Sequence, residues 1–360
     1  MGQFSCKTRI FFGAGSMERL KELGSRRLFL VSDPYFAENG TAQTLLSLSG
    51  AAETQVFSQV KPDPTVELVA EGVLQLQNFQ PDTVVALGGG SAMDCAKAMV
   101  HFSGVEAQLV AIPTTSGSGS EVTDFAVLTQ GKVKYPLVDE KLRPDVAILD
   151  TNLLEKLPKG LIADTGFDVL THAIEGYTAR GNSPFSDGLG AQSFCLALEN
   201  LPRSFRGDMA AREKMHGAST LAGLCFTHSG LGLCHALAHA LGGALHLPHG
   251  RLNGILLPVV MKHNSAACGE KYAQLARLTG ISGASQALAV RNLCGALVSL
   301  RRELGLPKNL KEAGADMVHF RSSMDDIAQA AVSDPCCQGN PVPVDMALAR
   351  QVLRQVAGDG

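Results

Sequence analysis

Val84-Val85-Ala86-Leu87-Gly88-Gly89-Gly90-Ser91 is an apolar run that ends in three glycines and a hydroxyl residue. An unbroken apolar run of this length, bounded by turn residues, reads as a strand buried on both faces. A helical pattern over 91–101 follows at once. A strand that turns through glycine into a helix is the first step of a βα unit in a parallel sheet. Glycine lets the backbone approach a ligand closely, and a helix N-terminus offers free N–H groups at the positive end of its dipole. Taken alone, the stretch fits either a pyrophosphate cradle or a tight structural turn.

Working outward, further strand runs fall at 28–32, 54–58, 108–112 and 146–149, with helical spacing at 16–23 and 65–79 between them. This alternation predicts a Rossmann-like α/β domain with a mostly parallel sheet. A second loop of the same kind, Pro113-Thr114-Thr115-Ser116-Gly117-Ser118-Gly119-Ser120, also follows a strand. Two such loops after neighbouring strands favour a ligand, because crevices of open sheets lie at the carboxyl ends of strands. Asp33 closes the 28–32 run, where it either caps a turn before Pro34 or accepts hydrogen bonds from a ribose and repels a 2′-phosphate. Phe12-Gly13-Ala14-Gly15-Ser16 fails as a dinucleotide fingerprint, since Glu18 stands where the third glycine belongs. It is read as a structural turn.

Beyond about residue 151 the strand runs cease. Helical apolar spacing covers 161–177, 186–201, 210–224, 232–245, 271–278, 285–304 and 346–356. The expected division is therefore an α/β domain over 1–151 and an all-helical domain over 152–360. Four of the ten histidines, His235, His239, His246 and His249, fall within fifteen residues of the helical half. On a helix, residues four apart share a face, which pairs His235 with His239 and, upstream, Asp168 with His172. Asp168, His172, His235 and His249, with His239 beside them, offer a carboxylate and imidazoles suited to Fe(II) or Zn(II). His246 breaks the shared face and is left out. Thr171 and Glu175 could fix an imidazole from behind, although a solvated face is the expected place for Glu175.

With 45% hydrophobic and 18% charged residues over 360 positions, the chain reads as an ordinary globular protein of two domains. A net charge of −3 gives no basic stripe for nucleic acid or anionic lipid, and no apolar run is long enough to span a bilayer. The first residues carry no secretory or myristoylation pattern. Nine scattered cysteines without a Cys-x-x-Cys predict reduced thiols and a cytoplasmic setting.

The segments Gly88-Gly89-Gly90-Ser91-Ala92-Met93-Asp94-Cys95-Ala96-Lys97 and Pro113 to Thr123 resemble those of the iron-containing (group III) alcohol dehydrogenase family. So do Thr165-Gly166-Phe167-Asp168-Val169-Leu170-Thr171-His172-Ala173-Ile174-Glu175, the run from His235 to His249, and Gly250-Arg251-Leu252-Asn253-Gly254-Ile255-Leu256-Leu257-Pro258. The resemblance spans nearly the whole chain and is greatest to the short-chain primary alcohol, 1-propanol type, members. It implies a dehydroquinate synthase-like architecture and a metal held by Asp168, His172, His235 and His249. NAD(H) contacts would come from Asp33, Gly89, Gly90, Ser91, Asp94, Thr114, Thr115, Ser118 and Lys134. His239 becomes the proton relay, and Phe125, Phe226, Cys336 and Cys337 line the pocket for a small alcohol or aldehyde. One departure stands out: Asn340-Pro341 is followed by Val342 where the family usually has arginine.

The resemblance further implies Fe(II), with Zn(II) as the alternative, a homodimer or higher homo-oligomer, and association with a bacterial microcompartment. Two rivals share the architecture, a zinc-dependent polyol (glycerol type) dehydrogenase and a dehydroquinate synthase-like lyase. The lyase needs arginines and lysines around its metal, whereas the histidines here sit in apolar surroundings such as 233–245.

Overall fold

The computed structural model describes residues 3–131 and 133–358, with the backbone alone at 133 and 134. The chain separates into two compact units, Met1–Lys156 and Leu157–Gly360.

The first unit contains β1 (Arg9–Phe12), β2 (Arg27–Ser32), β3 (Glu53–Phe57), β4 (Thr83–Gly88), β5 (Gln108–Pro113), β6 (Phe125–Gln130), β7 (Val133–Val138) and β8 (Val146–Leu149). Six of them form a parallel sheet in the order β1-β8-β5-β4-β2-β3, while β6 and β7 make a separate antiparallel pair. Helices α1 (Pro34–Glu38), α2 (Thr41–Ser49), α3 (Val66–Phe79) and α4 (Gly90–Ser103) connect the strands. Side chains alternate across each strand, so Phe29, Val31, Val84, Ala86 and Ala111 join one core layer. Leu28, Leu30, Val85, Leu87, Val110 and Ile112 join the other. Burial on both faces is why these strands read as unbroken apolar runs.

From β2 the chain moves outward to β3, returns past β2 to β4, and continues the other way to β5. The reversal places a switch point between β2 and β4, the position where open α/β sheets take ligands. Strands β1, β6 and β7 have no counterpart among the expected runs. The segment 16–23 is a 3-10 helix flanked by Gly15 and Gly24, both in the left-handed region. Asp150 accepts from the backbone N–H groups of Gly15 and Met17, at 3.0 and 2.9 Å, so the failed fingerprint is a turn tied to the end of β8.

The second unit runs through α5 (Lys159–Thr178), α6 (Pro184–Phe205), α7 (Met209–Ser229), α8 (Leu233–Leu245), α9 (His249–Leu278), α10 (Gln286–Glu303), α11 (Met317–Ser322), α12 (Met324–Ser333), α13 (Pro335–Gln338) and α14 (Met346–Ala357). Helix α5 is buried almost all round from Ile162 to Thr178, as befits a central helix. The spacing had indicated a helix only at 271–278, whereas α9 starts at His249 and is 30 residues long. Pro258 conceals it. Proline cannot supply the N–H that would bond the carbonyl four residues earlier. Here the Arg301 guanidinium donates to that Gly254 oxygen instead, at 3.2 Å. Among the described residues no single helix is long and apolar enough to cross a membrane.

Candidate active site

Three helices of the second unit each present an i,i+4 pair to one place: Asp168 and His172 from α5, His235 and His239 from α8, His249 and Asn253 from α9. Donor atoms of Asp168, His235 and His249 lie within 4.8 Å of one another. The pairwise approaches are 3.4 Å from His249 Nε2 and 3.8 Å from His235 Nε2 to Asp168 Oδ1. His172 joins from the other side, its Nδ1 4.0 Å from Asp168 Oδ2 and its ring stacked on His235 with centroids 4.3 Å apart. Phe226 stacks on the far face of the group, 4.5 Å from the His172 centroid.

Glycine makes this convergence possible. A Cβ at Gly250 would overlap the Asp164 carbonyl oxygen and press on the Asp168 side chain, so the residue after His249 lets α9 begin against α5. Arg251 then fastens the crossing through a two-point ion pair with Asp164, at 3.0 and 3.2 Å.

Glu175 is not on a solvated face. It is 5% exposed and sits under the first turn of α8. Its carboxylate accepts from the backbone N–H groups of Gly232, Cys234 and His235, at 3.2, 2.7 and 3.2 Å. A carboxylate there satisfies donors that a helix start leaves unpaired and complements its dipole. The same carboxylate lies 2.6 Å from His235 Nδ1. That bond keeps a proton on Nδ1 and turns Nε2 toward Asp168. The imidazole Glu175 fixes is therefore His235, not its chain neighbour His172. Thr171 fixes none, since its hydroxyl donates back to the Phe167 carbonyl within α5.

The spacing also overlooked Asn253. Its Nδ2 lies 2.8 Å from Asp168 Oδ1, 3.1 Å from His249 Nε2 and 3.4 Å from His235 Nε2. The amide binds the face of Asp168 that the two imidazoles also address, and so sets the carboxylate's orientation. Its place four residues after His249 was the available signal, although asparagine is not among the usual ligands of such a site. Asp334 was overlooked as well. It lies 2.9 Å from His239 Nδ1, fixing a ring that stacks on His249 with centroids 5.1 Å apart.

Electrostatics distinguish the members of the group. Burial would raise the Asp168 carboxyl, but His172, His249 and His235 outweigh it and hold Asp168 well below the usual carboxylate range. Burial works to lower His235, yet its bonds to Asp168 and Glu175 raise it to about 9. Desolvation and the neighbouring imidazoles push His249 well below its ordinary value, despite the pull of Asp168. One ionised carboxylate facing several imidazoles is a donor set that a divalent cation completes.

In the first unit, three predicted elements gather at the carboxyl ends of β2, β4 and β5. Asp33 caps α1, its Oδ1 accepting from Phe36 N at 3.3 Å, while Oδ2 lies 3.7 Å from where a Gly88 Cβ would stand. Both readings of Asp33, turn cap and crevice acid, thus fit one position. Burial raises its carboxyl against the backbone bonds that lower it. Gly89 and Gly90 face Thr115 and Ser118, since Cβ atoms there would come 3.3 and 3.4 Å from those hydroxyls. The N-terminus of α4 has no side-chain cap, which leaves its N–H groups facing the turn. Ser91 is in the first turn of α4, and Thr114 starts the loop after β5.

Asp94 serves the loop from within the protein, accepting from the Ser120 hydroxyl at 3.0 Å and from Val127 N at 3.1 Å. Buried Lys97 donates to Ser120 Oγ, to Thr123 O and Oγ1, and to Phe125 O, at 2.8 to 3.1 Å. The two residues anchor the loop that carries Thr114, Thr115 and Ser118. Phe125 opens β6 in this unit, and the side chain of Lys134 lies outside the described residues. In the second unit Phe226 flanks His172, Cys336 neighbours His239, and Cys337 is buried. At the departure from the family pattern, Asn340 is fully buried and accepts from Leu233 N at 3.1 Å, anchoring the start of α8.

The chain matches the family described as "Iron-containing alcohol dehydrogenase" over residues 7–151 and "Fe-containing alcohol dehydrogenase family, C-terminal" over residues 162–356. It is 40% identical to the 1-propanol dehydrogenase PduQ of Salmonella typhimurium, covering 99% of this chain and 100% of that one. It is 38% identical to the NADPH-dependent butanol dehydrogenase of Clostridium saccharobutylicum, covering 95% and 94%. The solved structure of sulfoacetaldehyde reductase from Bifidobacterium kashiwanohense in complex with NAD+ is similar at a TM-score of 0.89 and 29% identity, with both chains fully covered.

Proposed function

Because the chain belongs to the iron-containing alcohol dehydrogenase family, we propose that Asp168, His172, His235 and His249 hold the metal on which its alcohol–aldehyde chemistry depends. The protein is an NAD(H)-linked alcohol dehydrogenase for small primary alcohols and their aldehydes. The observation that carries the ligand assignment is the convergence of one carboxylate and the imidazoles of two further helices within 4.8 Å, with His172 stacked beside them.

A divalent cation bound there, Fe(II) by family and Zn(II) as the alternative, lowers the pKa of an alcohol hydroxyl and polarises an aldehyde carbonyl. NAD(H) supplies the hydride acceptor or donor. The chain's own work is positioning. Glu175 and Asn253 orient His235 and Asp168, and Phe226 walls the face of His172 with an apolar ring. Asp334 keeps the His239 proton on Nδ1, so Nε2 is the atom that takes up the alcohol proton and returns it to solvent. The apolar, aromatic wall suits a short unbranched substrate of the 1-propanol class. The polyol and lyase rivals are not favoured by the relatives, and Arg251, beside the ligands, is engaged with Asp164 rather than open to an anionic substrate. Homo-oligomer formation and microcompartment association rest on the family resemblance.

Enzyme purified without oxygen should carry about one iron per chain and oxidise NADH with propanal and butanal. Turnover with dihydroxyacetone above that with propanal would instead favour the polyol reading.

Asp33 decides the nucleotide. Its carboxylate repels a 2′-phosphate, so Asp33→Ser should raise kcat/KM for NADP+ relative to NAD+ by about 10- to 100-fold, one to two steps of 1.4 kcal/mol. An unchanged ratio would reduce Asp33 to a cap of α1.

A further inference from the structure

Three residues that the ligand assignment leaves over form a cluster of their own. Donor atoms of His239, Asp334 and Cys336 lie within 4.8 Å of one another. His239 comes from α8, and the other two from the turn into α13. The turn is a fixed one. Asp334 Oδ1 accepts from Cys336 N at 2.8 Å, and Pro335 stands between them at the first helical position. The remaining Asp334 oxygen faces His239 Nδ1 at 2.9 Å. Entry for an ion is open, since the His239 side chain is 32% exposed, against 1% for His235. The rings of His239 and His249 stack with centroids 5.1 Å apart, so this cluster adjoins the first group without sharing a donor with it.

We propose that His239, Asp334 and Cys336 form a second metal site, selective for thiophilic divalent cations of the Zn(II) class. The four residues assigned to iron offer nitrogen and oxygen only. This trio adds sulfur, which favours Zn(II) over hard cations such as Mg(II) or Ca(II), and three protein donors leave a position for water. Binding breaks the Cys336 S–H bond and sends that proton to solvent, moves the His239 ring proton from Nδ1 to Nε2, and forms the metal–sulfur and metal–nitrogen bonds, with no change of oxidation state. The trio offers three donors where the first group offers four, so the site fills after the first one. An ion here also ties up His239. Excess zinc therefore inhibits iron-loaded enzyme, a consequence that depends on the proton-relay reading, whereas the site itself does not.

Anaerobic titration of the metal-free full chain with Co(II) separates the two. Wild type should bind two ions per chain, the second with a thiolate-to-cobalt charge-transfer band in the near ultraviolet. Cys336→Ser and Asp334→Asn should each keep the first ion and lose both the second ion and the band. The retained first ion reports an intact fold. Saturation of wild type at one ion per chain overturns the proposal, and so does a band that persists in Cys336→Ser.

Discussion

Glu175→Ala should destabilise the metal-free protein by about 3–5 kcal/mol and lower its metal affinity by about 10- to 100-fold. Both effects follow from one carboxylate with two tasks. It satisfies three backbone donors at the start of α8, and it is the partner of a buried imidazole held protonated up to about pH 9. Removing it leaves those N–H groups without their acceptor and strips His235 of one of its two anionic partners. It also frees the ring to turn its Nε2 away from Asp168. Glu175→Gln keeps the shape but loses the charge and one acceptor oxygen, so its losses should be smaller in both respects. Denaturant unfolding after chelation measures the first effect, and competition with a metal indicator measures the second. A variant equal to wild type in both would mean that Glu175 does not organise His235.

Asp168→Asn should lower kcat/KM by about a thousandfold or more, roughly 4 kcal/mol of lost stabilisation at the reacting oxygen. Asp168 is the only anion among the four assigned ligands, and the histidines around it hold it ionised well below the usual carboxylate range. A neutral amide in its place removes the ligand charge and replaces one of the two acceptor oxygens with a donor, leaving a single oxygen to serve both Asn253 Nδ2 and the metal. Far-ultraviolet circular dichroism should be unchanged, since Asp168 is a single position on a fully packed α5. Added Fe(II) should restore chelated wild type and leave the variant inactive. A variant that retains one iron per chain and a tenth of wild-type turnover would remove Asp168 from the ligand set.

Local patterns made part of the site legible. The pairs at 168/172 and 235/239 are visible because an i,i+4 spacing is a property of one helix, and ligand-type side chains are rare enough to stand out when so spaced. Glu175 was misplaced for the opposite reason. A glutamate is usually solvated, and nothing within α5 shows that the N-terminus of α8 covers it. Asn253 was missed because α9 was hidden behind Pro258, whose lost hydrogen bond is replaced by Arg301 from a helix some forty residues later. The inner strands β2, β4, β5 and β8 were legible as apolar runs because burial on both faces leaves no room for polar alternation, whereas the exposed edge strand β1 was not. The β6–β7 pair, outside that sheet, carries no such run.

The sequence by itself determined that the chain pairs a parallel α/β unit with a helical one, and which side chains could bind a metal or a nucleotide. It also placed the glycine turns, because glycine's freedom is local. Only the tertiary structure decided which candidates work together. It aimed Glu175 at His235, brought Asn253 against Asp168, and set His239 with Asp334 and Cys336 rather than with its own i,i+4 partner. The physical reason is that helical spacing tells which face a residue occupies, whereas a ligand set is fixed by which helices cross. Those crossings are decided by contacts remote in sequence, such as Gly250 against Asp164.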